Sequence, residues 1–247
     1  MSVFRDGFGQ ERDLTGTRVG WRDLERVVSE LLDGKALEKK HVFDVLVPST
    51  NPLGTVYGIS VKSKCLGRQR NIEMLDEDGR VYMELTNSPA KLWKPLKDMG
   101  IDENTFRKET DAERIGISVI KTVHDWYLNS GIDAIDLERS VHLNVSYSDP
   151  KKNEERLYQL HSFKLGFPKG IRWAFSSGAC LRGYDPSNPG QPLIDWYGLS
   201  GGQLKYYPRT SSALYKTPVF TLLKPKVWRI EERSKVYWPS EWEALDD

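Results

Sequence analysis

The run from His41 to Lys62 narrows the choice of fold most. His41-Val42-Phe43-Asp44-Val45-Leu46-Val47-Pro48 and Thr55-Val56-Tyr57-Gly58-Ile59-Ser60-Val61-Lys62 are rich in β-branched and aromatic side chains, and Ser49 to Gly54 between them is a turn segment. Such side chains are restricted at χ1 and pack well on a pleated surface, so the run predicts a β-hairpin. Just before it, Trp21, Leu24, Val28, Leu31 and Leu32 recur at helical spacing after Gly20, and Asp33-Gly34 closes the segment. That spacing predicts an amphipathic helix leading into the hairpin.

Further along, Asn71 to Leu75 and Arg80 to Leu85 flank an Asp76-Glu77-Asp78-Gly79 turn and are expected as a second strand pair. Pro89 in a first turn capped by Asn87 or Ser88 predicts a helix to about Met99, and Ile115, Val119, Val123 and Trp126 predict another over about Asp111 to Asn129. The period then changes to two. Val141, Leu143, Val145 and Tyr147 alternate with His142, Asn144, Ser146 and Ser148, a half-buried strand whose expected neighbours are Leu157 to Leu165 and Ile171 to Ser177. The expected class is α+β in one compact unit.

Length and composition agree with an ordinary globular chain: 247 residues, 38% hydrophobic, 29% charged. No apolar run approaches a membrane span, mean hydropathy is −0.55, and no apolar leader follows Met1, so a cytoplasmic, non-membrane protein is expected. Cys65 and Cys180 are too few for a disulfide framework and have no zinc spacing. The net charge of +1 hides an uneven distribution. Acid-free basic stretches run from Val61 to Arg70, from Arg156 to Tyr184 and from Trp196 to Ile230, while acids concentrate in Glu73 to Glu113 and after Glu231. Converging on one face, those stretches would suit a polyanion.

Several motifs can be set aside. Leu199-Ser200-Gly201-Gly202-Gln203 has the form of the ATP-binding-cassette signature, but no Gly-Lys-Ser or Gly-Lys-Thr accompanies it, so it reads as a turn and no nucleotide cofactor is expected. No GxSxG or HExxH occurs, and His41, His124, His142 and His161 are dispersed; His142 and His161 read as solvent-face residues of strands. Trp173, Trp196 and Trp228 are expected in the core or an interface rather than as base-stacking platforms.

The pair that carries chemistry is Asp44 with Lys62, one on each strand of the hairpin. Phosphodiester hydrolysis needs a carboxylate to hold a divalent cation at the phosphate and a cation beside the attacking water. The order of a helix with Glu25, a strand with Asp44, a strand ending in Lys62 and then further strand and helix resembles the PD-(D/E)xK nucleases, most closely type II restriction endonucleases. The resemblance covers roughly residues 20 to 99. Phe43 stands where that family has Pro, and Ser60 where it has Asp or Glu, a Ser-x-Lys form in which the missing carboxylate comes from elsewhere. Glu84 is the first candidate for it, Glu73 the second and Glu25 the third.

The resemblance implies a restriction-endonuclease-like core, a mixed sheet flanked by helices, over about 20–130, with an antiparallel β-rich recognition part over about 140–240. It also implies a Mg2+-dependent, sequence-specific endonuclease acting on double-stranded DNA and leaving a 5'-phosphate. Asp44, Ser60, Lys62 and Glu84 would be catalytic, with Asp44, Glu84 and Glu73 as metal ligands. A homodimer is expected because a palindromic site favours a two-fold protein. Lys64, Arg68 and Arg70 would meet phosphates, while Gln203, Lys205 and Arg209 would read bases. The alternative is a non-catalytic nucleic-acid-binding protein using the basic, aromatic C-terminal half.

Overall fold

A computed structural model describes residues 11–13, 16–18, 20–37, 41–66, 72–75, 79–106, 111–149, 156–176, 180–222 and 230–244. In chain order come β1 (Glu11–Asp13), β2 (Gly16–Arg18), α1 (Trp21–Leu31), β3 (Lys35–Ala36), β4 (Val45–Pro48) and β5 (Val56–Cys65). Next are β6 (Met83–Thr86), α2 (Pro89–Asp98), α3 (Glu103–Phe106), α4 (Ala112–Leu128), β7 (Val141–Tyr147), β8 (Leu157–Lys164) and β9 (Arg172–Phe175). The chain closes with β10 (Leu181–Asp185), β11 (Asn188–Trp196), β12 (Leu204–Tyr206), β13 (Tyr215–Lys216), β14 (Phe220–Thr221), α5 (Ile230–Tyr237) and α6 (Pro239–Glu243).

The described residues form an α+β protein with two large sheets and a separate antiparallel pair, β1 with β2. The first is mixed, in the order β13-β8-β7-β5-β4-β3, with β14 also on β8; the second is antiparallel, in the order β6-β12-β11-β10-β9. The hairpin forms as its composition requires, with Val45 opposite Ile59 and Pro48 opposite Val56. Gly58 is needed there because a Cβ would lie 2.3 Å from the Phe43 ring. β5 then runs parallel to β7, the long crossover between them carrying β6 and three helices. The first sheet therefore draws strands from both halves of the chain.

α1 lays Leu24 and Val28 on Val45, Ile59, Val61 and Val145. Leu31 at 77% and Leu32 at 46% stay exposed although they continue the apolar stripe. Asp33, at φ 48°, and Gly34 turn the chain back; a Cβ at Gly34 would lie 2.7 Å from the Leu46 carbonyl oxygen. The larger core joins α2, α4 and the second sheet around Trp93, Phe106 and Trp196, whose rings meet at 4.8 to 5.7 Å.

Three expectations change. Ile72–Leu75 is a 3-10 turn, not a strand, because its two ends, Ile72 and Leu75, eclipse and bury together. Its intended partner, β6, pairs instead with β12 in the second sheet. β9 also belongs to that sheet rather than beside β7, since Trp173 packs over Gly116 of α4 and its N–H donates to the Glu113 carboxylate at 3.0 Å. Finally, His142 and His161 alternate as expected but face inward, both at 0% exposure. The Tyr127 ring meets His142 edge-on at 5.9 Å, and Thr217, beside β8, accepts through its carbonyl from the Gln159 amide at 3.1 Å.

Gly116 allows α4 to approach β9, because a Cβ there would lie 2.0 Å from the Trp173 ring. Gly116→Val is expected to lower unfolding free energy by about 1–3 kcal/mol in urea melts, through overpacking. An unchanged midpoint would mean that α4 and β9 do not pack this closely.

Candidate active site

Asp44 is the last residue before β4, and its backbone already belongs to the hairpin, its N–H donating to the Ile59 carbonyl at 2.9 Å. The register carries it to Ser60, across the strand pair. Its Oδ2 accepts from the Val61 N–H at 2.7 Å and lies 3.8 Å from Lys62 Nζ. The Ser60 hydroxyl also hydrogen-bonds this carboxylate. With 24% and 22% of their side-chain surfaces exposed, Asp44 and Lys62 are largely desolvated yet reachable by a ligand. Burial is the strongest influence on Asp44 and raises its pKa despite the lowering by Lys62, Val61 and Ser60.

The carboxylate that shares this field is Glu25, on α1. Its pKa is pushed up to about 7, first by burial and then by the Asp44 charge, with Lys62, Arg22 and Arg26 pulling it down. An acid whose proton affinity the Asp44 charge raises thus lies within reach of the Asp44–Lys62 pair. Among the described residues no three His, Cys, Asp or Glu side chains gather as a metal cage. Two carboxylates do suit Mg2+, which keeps several waters and takes its remaining oxygens from a phosphate.

Behind the pair, burial and the Asp44 charge raise the pKa of Tyr127, keeping its hydroxyl protonated. His142 is pushed down to about 3 by burial and by Lys62, so it is neutral. The Tyr127 hydroxyl and His142 Nε2 stand 3.5 Å apart, the outer limit of a hydrogen bond. Alternation on β7 is the sequence signal that puts His142 on the face of Lys62, since Ser60 registers with His142 and Lys62 with Asn144. No pattern on α4 marks Tyr127.

The remaining site residues lie elsewhere. Glu84 is on β6, in register with Lys205 of the second sheet, and acts on Tyr82 rather than on Asp44. Glu73 belongs to the 3-10 turn, its side chain lying outside the described residues, as do Arg68 and Arg70. Lys64 holds its ammonium 4.3 Å over the Tyr82 ring, and Lys205 its own 4.3 Å over Tyr197. Gln203 accepts from the Tyr197 N–H through its carbonyl at 2.9 Å, closing the turn in which Gly201 and Gly202 have positive φ. Arg209 bridges backbone to backbone with Arg80, and both guanidiniums reach the side-chain oxygen of Asn188. Comparison of the chain with protein-family models, characterised proteins and solved structures finds no match.

The raised pKa of Glu25 has a definite sign. The folded state favours the neutral carboxyl, so the stabilisation is fully present below the ordinary value of 4.5 and is lost as pH rises through about 7. Glu25→Gln is therefore expected to gain stability relative to the parent between pH 5 and pH 8 in urea denaturation. A difference between the two proteins that stays flat over that range would show that Glu25 is not desolvated beside Asp44.

Proposed function

We propose that this chain is a Mg2+-dependent endonuclease for double-stranded DNA, of the PD-(D/E)xK kind, with Asp44, Glu25 and Lys62 at its working centre. The observation that carries the reading is the Lys62 ammonium 3.8 Å from an Asp44 carboxylate whose charge also acts on Glu25. Support also comes from the order of the elements: the helix with Glu25 packs on the two paired strands, the one after Asp44 and the one with Lys62. The second carboxylate of the site is thus Glu25 rather than Glu84.

Each residue has a task of its own. The Val61 N–H fixes Oδ2 of Asp44, so this carboxylate is oriented before any ligand arrives. Asp44 and Glu25 would hold Mg2+, which when bound supplies positive charge to the phosphate and acidifies its water. Lys62 sits where its ammonium can hydrogen-bond a water or phosphate oxygen and stabilise the charge that develops there. Glu25 must be ionised to hold a cation, so cleavage is expected to rise with pH through about 7. Ser60 steadies Asp44 and brings no charge of its own. A homodimer would present two such centres to a palindromic site.

The test is incubation with unmethylated phage DNA, with and without Mg2+. Discrete Mg2+-dependent fragments are expected, and intact DNA with EDTA-insensitive gel shifts would leave a binding protein instead. Lys62→Ala is expected to lose cleavage at least about 100-fold while still binding DNA. Glu25→Gln is expected to abolish Mg2+-dependent cleavage and Glu84→Gln to preserve it; the reverse result would return the second carboxylate to β6.

A further inference from the structure

We infer that Lys64 and Lys205 are a pair of phosphate-holding cations that carry a nucleic-acid strand from the Asp44–Lys62 site across to the second sheet, and that Lys205 does not read bases. This inference rests on the nuclease reading above. Lys62 and Lys64 lie on the same face of β5, about 7 Å apart along the strand. Lys64 Nζ is 4.3 Å from the centroid of Tyr82, the residue that precedes β6 by one. Lys205 Nζ, on β12, is 5.7 Å from that same ring and 4.3 Å from Tyr197. Tyr82 thus joins the two sheets through one cation from each.

The rings are themselves fixed. Tyr82 meets Tyr207 edge-on at 5.5 Å, and Asp195, 4% exposed, accepts from the Tyr197 and Tyr207 hydroxyls at 3.4 and 3.3 Å and from Arg182 Nε at 3.0 Å. Two acids stand in register with Lys205: Asp195, whose oxygens are taken up by those three donors, and Glu84. Neither forms an ion pair with Lys205 or Lys64 within 4.0 Å among the described residues, so both ammonium groups keep donors for an incoming anion.

An ammonium packed over an aromatic ring is held in place and leaves that ring face less open to a base. Such a pair tracks the backbone: it supplies charge at fixed points and carries no sequence information. Lys64 is held at 4.3 Å over Tyr82 and Lys205 at 4.3 Å over Tyr197, so each ammonium is positioned by its nearest ring.

The experiment measures binding of the full chain to fluorescent duplexes of several unrelated sequences in EDTA, from low to high salt, alongside cleavage of phage DNA in Mg2+. Lys64→Gln and Lys205→Gln are each expected to reduce the slope of log K against log salt by about 0.9, and the double variant by about 1.8. The loss should be equal on every sequence. Tyr82→Phe is expected to keep the parental slope and Tyr82→Leu to weaken binding. A parent that binds and cuts while both lysine variants keep its slope would overturn this inference alone. A Lys205 variant that changes discrimination among sequences without changing the slope would overturn it too, returning Lys205 to base reading. A parent that neither binds nor cuts would sink the nuclease reading and this inference together.

Discussion

Seven residue pairs join β5 to β7 in parallel, from Ile59 opposite Val141 to Cys65 opposite Tyr147. The period of two makes that single ladder serve two purposes. Ile59, Val61, Val141 and Val145 fall on one face and accept α1, while Ser60, Lys62, His142 and Asn144 fall on the other. A slip of one residue would exchange the faces, putting Lys62 beneath Leu24 and Val28. The apolar face thus sets the register, and the register sets the site. Asp44 follows from the same constraint through the antiparallel side of β5, since the pairing of Val45 with Ile59 leaves the next step of the ladder to Asp44 and Ser60.

Within the site, burial and charge oppose each other. Asp44 has a cation, a backbone N–H and a hydroxyl to favour its ionised form, yet desolvation outweighs them. Glu25 brings a second acid to the same edge and is raised further by it. Neither carboxylate is where folding alone would prefer it. Like charges in a partly desolvated place are a pattern expected of a ligand site, because a bound cation relieves both burial and repulsion.

The hairpin, α1, α2 and α4 were legible because each rests on local signals: β-branched runs about a turn, helical spacing, Pro89 in a first turn. Asp44 and Lys62 came with the hairpin, since strand pairing is a local consequence of its turn. What escaped depends on contacts distant in sequence. Arg80 to Leu85 has the composition of a strand, but nothing local says that β6 joins β12, more than a hundred residues later. The same pairing takes Glu84 into the second sheet, in register with Lys205. Glu25 comes within the field of Asp44 because α1 folds back over β4 and β5, a packing that its own helical spacing does not specify. The inward facing of His142 and His161 is likewise set by what covers the sheet, which alternation cannot say.

That covered face breaks the usual rule for a core. His142, Asn144, Ser146, Gln159 and His161 are all fully buried, and the Asn144 side-chain oxygen finds no protein partner while its amide donates to Ser146 at 2.9 Å. A buried polar atom left without a partner costs about 1–3 kcal/mol, so an apolar row would serve folding better. It would not serve Lys62, which registers with Asn144 and lies within the field of His142. An ammonium set against hydrocarbon loses its hydration with nothing in exchange, whereas amide and hydroxyl dipoles replace part of that hydration. His142 contributes by staying neutral, because a charged imidazole there would repel the lysine. Local choices that oppose folding but agree with one another at a single place are expected where a site has been kept at the expense of stability. On this chain such choices meet in the buried polar row behind Lys62.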